Sequence, residues 1–159
     1  MGLGYAPTML SPMLMTALER APSAFFHVID DVRPEKYHDR LEADRFDLVE
    51  MVSHMADIED VFLDRMRLAH EHPGSDVAPY DPDARSKEKH YETRDLHHEL
   101  EVYKNRRNDT LDFLKNLGEG EATRSIKHPV MGEITIAAIA QMLVCHDVYH
   151  LEQASRYLR

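Results

Sequence analysis

The sequence has one cysteine, Cys145, so no disulfide can close within the chain; this usage fits a reducing compartment and makes the cytoplasm the expected location. Basic residues are also scarce. Lys and Arg number 19 against 29 Asp and Glu, a formal net charge of −10, and a field of that sign repels polyanions, so nucleic acid is not an expected partner. No apolar run approaches the roughly 20 residues a bilayer-crossing helix needs, and even the stretch 134–145 is bracketed by charges. The opening MGLGYAPTMLSPMLM lacks a basic start and is interrupted by Pro7 and Pro12, so neither a signal peptide nor a membrane partner is expected. Sustained period-two alternation, a phosphate-cradling glycine loop and a Ser-His-Asp order are missing too, which argues against β folds, P-loop chemistry and serine hydrolases.

Hydrophobic residues at 43% and charged residues at 30% of 159 describe a globular chain, expected to form a single domain over 1–159. Apolar residues recur at helical spacing in four blocks, which predicts an all-α four-helix bundle. The first block begins near Thr8 or Ser11 and places Leu14, Leu18, Ala21, Phe25 and Val28 on one face, with Pro22 as a kink. Residues 32–45 read as a connecting loop. The second block opens at Asp47 with Glu50 three residues on, a capping box, and its stripe from Leu48 to Met66 is stopped by the HPG triplet at His72. Residues 74–84 read as a long exposed loop. The third block is expected as one helix over 87–117 with Gly118 behind it. HPVMGEIT then serves as a tight link to a last helix capped by Thr135.

Chemistry concentrates in CHDVYHLEQ. His146 and His150 stand four apart, so both imidazoles leave one helix face a turn from each other, where one ion can bridge them. The spacing is half of the zinc-protease motif, but Asp147 stands where its glutamate base would be, which rejects that reading. Taken alone, two such histidines are more often a satisfied core pair than a metal site. The third, His54, in the middle of the second helix, tips the balance, because a ligand from a facing helix completes a three-histidine site with an open position. Asp57, Asp147 and Gln153 lie on the same faces as candidates to orient a ligand ring or a bound water. His97 and His98, adjacent and about 100° apart around a helix, are expected at the surface. Cys145 is expected to be a small buried residue rather than a ligand or nucleophile.

SHMADIEDVFLDRM, followed far downstream by HPVMGEIT and HDVYHLEQ, resembles the DinB/YfiT-like proteins along nearly the whole chain. YDPDA at Tyr80 belongs to the same likeness. The helix-opening Trp-Ser common in that family is Phe46 and Asp47 here, which retains an aromatic and a cap. The resemblance implies a four-helix bundle, often dimeric, with His54, His146 and His150 as ligands to a divalent metal ion, zinc or nickel foremost. It also implies a small-molecule electrophile attacked by a metal-activated low-molecular-weight thiol of the bacillithiol type, as in an S-transferase, the reaction the resemblance favours, or by metal-activated water, as in a hydrolase. The alternative it leaves is a non-catalytic metal- or ligand-binding, stress-associated dimer.

Overall fold

A computed structural model describes residues 9–159. Thr8, one of the two expected starts of the first helix, lies outside them. Helix α1 (Pro12–Asp30) is instead opened by Ser11, whose Oγ accepts the Leu14 amide at 3.1 Å, and Pro22 lies within it. Helix α2 (Leu48–Glu71) carries the expected capping box: Glu50 N donates to Asp47 Oδ1 and Asp47 N donates to Glu50 Oε2, both at 2.9 Å. Thr135 caps the last helix, α5 (Ile136–Ser155), by accepting from Ala138 N.

Three expectations are corrected. The single helix over 87–117 is two, α3 (Pro82–Lys89) and α4 (Leu96–Lys115), joined by a one-turn 3-10 segment at Tyr91–Thr93. His90 ends α3 in the left-handed region at φ 53°, and Asp95 restarts the helix by capping the His98 amide at 2.7 Å. The break lets the Tyr91 ring turn inward, where it is fully buried. The link before α5 is a β-hairpin, β1 (Ser125–His128) against β2 (Gly132–Thr135), whose buried Ile126 and Ile134 pair across the strands. The preceding segment is bound to it, with Val77 N on Lys127 O and Lys127 N on Ser75 O. The stretch read as a long exposed loop over 74–84 is thus part hydrogen-bonded edge and part the start of α3, capped by Asp81.

Helices α1, α2, α4 and α5 form the bundle. Both α1 and α2 pack against α4 and α5, so α1 and α2 occupy one diagonal and α4 and α5 the other. The connection 31–47 therefore crosses the end of the bundle diagonally, with a turn of 3-10 helix at Pro34–Lys36. Helix α2 is covered on every side at its start, so even Glu50, Ser53, His54, Asp57 and Glu59 are buried. Apolar packing falls into two clusters, one around Phe62, Met66, Leu114 and Leu143, the other around Phe25, Val52, Leu100 and Tyr103. Arg107 of α4, with no exposed surface, lies at the level where they meet. Its guanidinium holds Glu59 and Asp147, and its Nη1 donates to Leu18 O at 3.0 Å, so one side chain ties all four bundle helices together. No described helix is long and apolar enough to cross a membrane.

Candidate metal centre

Helical period does the first part of the assembly. His146 and His150, a turn apart on α5, set their rings edge to face at 4.4 Å between centroids, and α2 brings His54 to within 5.1 Å of both. All three present Nε2 to one point: His54 to His146 at 2.9 Å and His150 to His146 at 3.1 Å. Nitrogens around a tetrahedral ion with bonds of about 2.0–2.1 Å would lie roughly 3.3–3.4 Å apart. Two of the separations are a few tenths of an ångström short of that, and all three ligating atoms lie within 4.8 Å of one another, so the cluster is of a size that a divalent ion can fill.

Electrostatics keeps these rings uncharged. Burial pulls His54 down to about 3, with His150 beside it adding to the effect; burial and both neighbouring rings pull His146 to about 2. His150 is lowered to about 4 by burial, partly offset by its hydrogen bond to Gln153. All are neutral near pH 7 and have lone pairs to offer. Gln153 Oε1 accepts the His150 Nδ1 proton at 2.8 Å, and its amide donates to Tyr149 Oη at 3.2 Å. That arrangement leaves the His150 Nε2 lone pair facing the other two rings. His146 Nδ1 is buried with no hydrogen-bond partner among the described residues.

The two aspartates stand elsewhere than expected. Asp147 is buried, but its carboxylate faces Arg107, at 2.8 and 2.9 Å, and the Tyr103 hydroxyl, at 2.9 Å; it anchors α5 beneath His146 instead of touching a ligand ring. Asp57 receives Arg85 Nε at 2.6 Å, Lys89 at 3.3 Å and the Tyr91 hydroxyl at 2.8 Å. Burial opposes its ionisation, yet the hydrogen bonds from Arg85 and Tyr91 prevail and hold its carboxyl at about 2. Its charge clamps α3 onto α2. The group that does touch His54 is Tyr80, whose hydroxyl lies 3.3 Å from Nδ1. Tyr80 was visible in the sequence only as part of YDPDA, and Tyr91 only as a lone aromatic in a charged stretch. Cys145 is exposed, not buried, and does not join the histidine cluster.

A cleft of about 200 Å³ opens beside His54 and His150. Phe46 and Pro82 give it apolar surface, while Asp44, Arg45, Asp83 and Tyr149 supply charge and hydroxyl. Arg45 Nη1 donates to Tyr149 Oη at 2.6 Å, which continues the line of contacts from His150 through Gln153 to the rim. The arrangement offers three neutral nitrogen ligands, an approach for a small molecule, and polar groups beside it.

The model of the DinB superfamily matches residues 17–154. Among solved structures, YfiT from Bacillus subtilis, described as a probable metal-dependent hydrolase with an unusual four-helix bundle topology, superposes with a TM-score of 0.83 at 20% identity. The match covers 96% of this chain and 92% of that one. No curated protein matches the sequence.

Proposed function

Because this chain belongs to the DinB superfamily, we propose that it is a metal-dependent enzyme in which His54, His146 and His150 bind one divalent ion, zinc or nickel before copper or iron. The convergence of three neutral Nε2 atoms on one point, with a cleft beside it, is the observation that carries this reading. An ion on three uncharged ligands keeps its full double charge and an open position, and so makes water or a thiol there acidic enough to act as a nucleophile at neutral pH.

The chain's own residues hold and select the substrate. Arg45 and Tyr149 present donors to an electron-rich oxygen, Phe46 and Pro82 pack against its apolar part, and the size of the cleft suits a small electrophile. The description of YfiT as a probable metal-dependent hydrolase supports water as the nucleophile. A low-molecular-weight thiol of the bacillithiol type is the other nucleophile the site suits, as co-substrate of an S-transferase. We take the working form to be a cytoplasmic homodimer.

The test is turnover by zinc- and nickel-loaded protein of a panel of small esters, amides, lactones, epoxides and haloalkanes, with and without added thiols. Products formed without thiol, and lost in His150→Ala, establish a hydrolase; thiol adducts lost in the same variant establish an S-transferase. A fully loaded protein that turns over nothing in either condition contradicts an enzymatic role and favours a binding protein.

A further inference from the structure

Two arginines are buried among the described residues, and their surroundings are opposite. Arg107 has two carboxylates, Glu59 and Asp147, against its guanidinium. Arg65 of α2 is 9% exposed, and no described carboxylate lies within 4.0 Å of it. Its hydrogen bond runs from Nη2 to Ala78 O at 3.2 Å. A carbonyl accepts a proton but carries no charge, so most of the guanidinium's five N–H groups and all of its charge lack a protein partner among the described residues.

A cation taken out of water without a counter-charge is unfavourable, and arginines are ordinarily paired or left at the surface. This chain follows the rule elsewhere: the other described arginines with no carboxylate in reach, Arg20, Arg33 and Arg159, are all exposed. Acids are not scarce, at 29 Asp and Glu against 19 Lys and Arg. Tying α2 to the Ala78 carbonyl does not account for the charge either, because an uncharged amide side chain can make that bond.

Arg65 lines a cleft of about 440 Å³ between α2 and the segment before α3. Val61 and Leu68, a turn to either side of it on α2, and Val77 and Pro79 opposite give the cleft an apolar wall. Asp64 and Asp76 line it too, but Asp64 is turned to Arg67, at 3.9 Å, and neither reaches Arg65. This cleft shares no lining residue with the one beside the histidines.

We propose that Arg65 binds a small organic anion in this cleft, a carboxylate or phosphate monoester carried on an apolar body. The guanidinium fork holds the anionic group through paired N–H bonds, and the apolar part packs against Val61, Leu68, Val77 and Pro79. Asp64 and Asp76 repel a polyanion, so the cleft takes a ligand with a single anionic group. Tyr80 separates the two sites: it lines this cleft, and its hydroxyl lies 3.3 Å from His54 Nδ1. The anion site does not rest on the proposed function and stands whether or not the histidines bind a metal.

The experiment is titration calorimetry of the full metal-free chain, in a zwitterionic buffer of low salt, with benzoate, phenyl phosphate, inorganic phosphate and the neutral benzamide. Benzoate or phenyl phosphate should bind at one per chain, with inorganic phosphate weaker for want of an apolar body and benzamide weaker for want of charge; the preference between the first two identifies the anionic group. Arg65→Gln, which keeps a donor for Ala78 O, should lower that affinity by about tenfold or more, as for loss of a hydrogen-bonded charge. Arg33→Gln, the same change of net charge at an exposed arginine, should leave it unchanged. Without ligand, Arg65→Gln should melt no lower than wild type, because it removes an unpaired buried charge, whereas loss of a structural tie would lower the melting temperature. Arg65→Lys serves if Arg65→Gln does not fold: it keeps the charge without the fork and should weaken binding severalfold. No saturable binding of either organic anion, an affinity that a folded Arg65→Gln protein retains, or inorganic phosphate binding as tightly as both organic anions overturns the proposal.

Discussion

A histidine prepared for a cation has to be kept from taking a proton, and here burial does that for three residues at once. His54, His146 and His150 are held at about 3, 2 and 4, well under the ordinary value of 6.5. The same shifts carry a stability signature. Below about pH 6.5 the unfolded chain takes up protons that the native site refuses, so native stability is full above that pH and is lost as pH falls toward the native values. The metal-free protein should therefore weaken between pH 6.5 and 4, each histidine contributing at most about 1.4 kcal/mol per pH unit. Urea midpoints across that range check it, with His146→Ala expected to flatten the curve. A midpoint that holds constant down to pH 4.5 would contradict neutral, buried imidazoles.

At the level of elements, three of the four bundle helices, α1, α2 and α5, were legible from their first residue because each carries a long apolar stripe and a local start signal, while α4 was seen only as part of a longer helix. Ser11, Asp47 and Thr135 all cap, and the Asp47–Glu50 box is closed at both ends, with Arg40 on the same Glu50 oxygen at 2.6 Å. Replacing Asp47 with Ala should cost about 1 kcal/mol, read as a lower urea midpoint at pH 7. The hairpin escaped notice because two four-residue strands give too little alternation to register. The break at His90 escaped because residues 87–117 contain no proline or glycine to punctuate them, and the cause of the break, the burial of Tyr91 against Asp57, lies 34 residues away in the chain. The site divides along the same line. An HxxxH pair shows itself by helical period alone. The partners of Asp57 and Asp147, Arg85 and Arg107, come from other helices, and no local pattern announces them.

Across the whole molecule, the Arg107 layer is what holds the two apolar clusters and the histidine site in register. Glu59 from α2, Asp147 from α5, Thr110 and Tyr103 from α4 and the Leu18 carbonyl from α1 all meet in it. Burial raises the Glu59 carboxyl against the pull of Arg107, which shows how much the layer depends on that one cation. Arg107→Met leaves two buried carboxylates uncompensated and should cost about 3–5 kcal/mol, a large share of the stability of a domain this size. Denaturant unfolding measures it, and a loss below about 1 kcal/mol would mean that the layer is not what joins the halves.

The most direct test of the account is the metal content, by elemental analysis, of protein purified without an affinity tag, for wild type beside His150→Ala. One divalent ion per chain in wild type, absent from the folded variant, is the predicted result. No bound ion in wild type even after reconstitution with zinc and nickel would contradict it, and would make His54, His146 and His150 a hydrogen-bonded core cluster of the bundle.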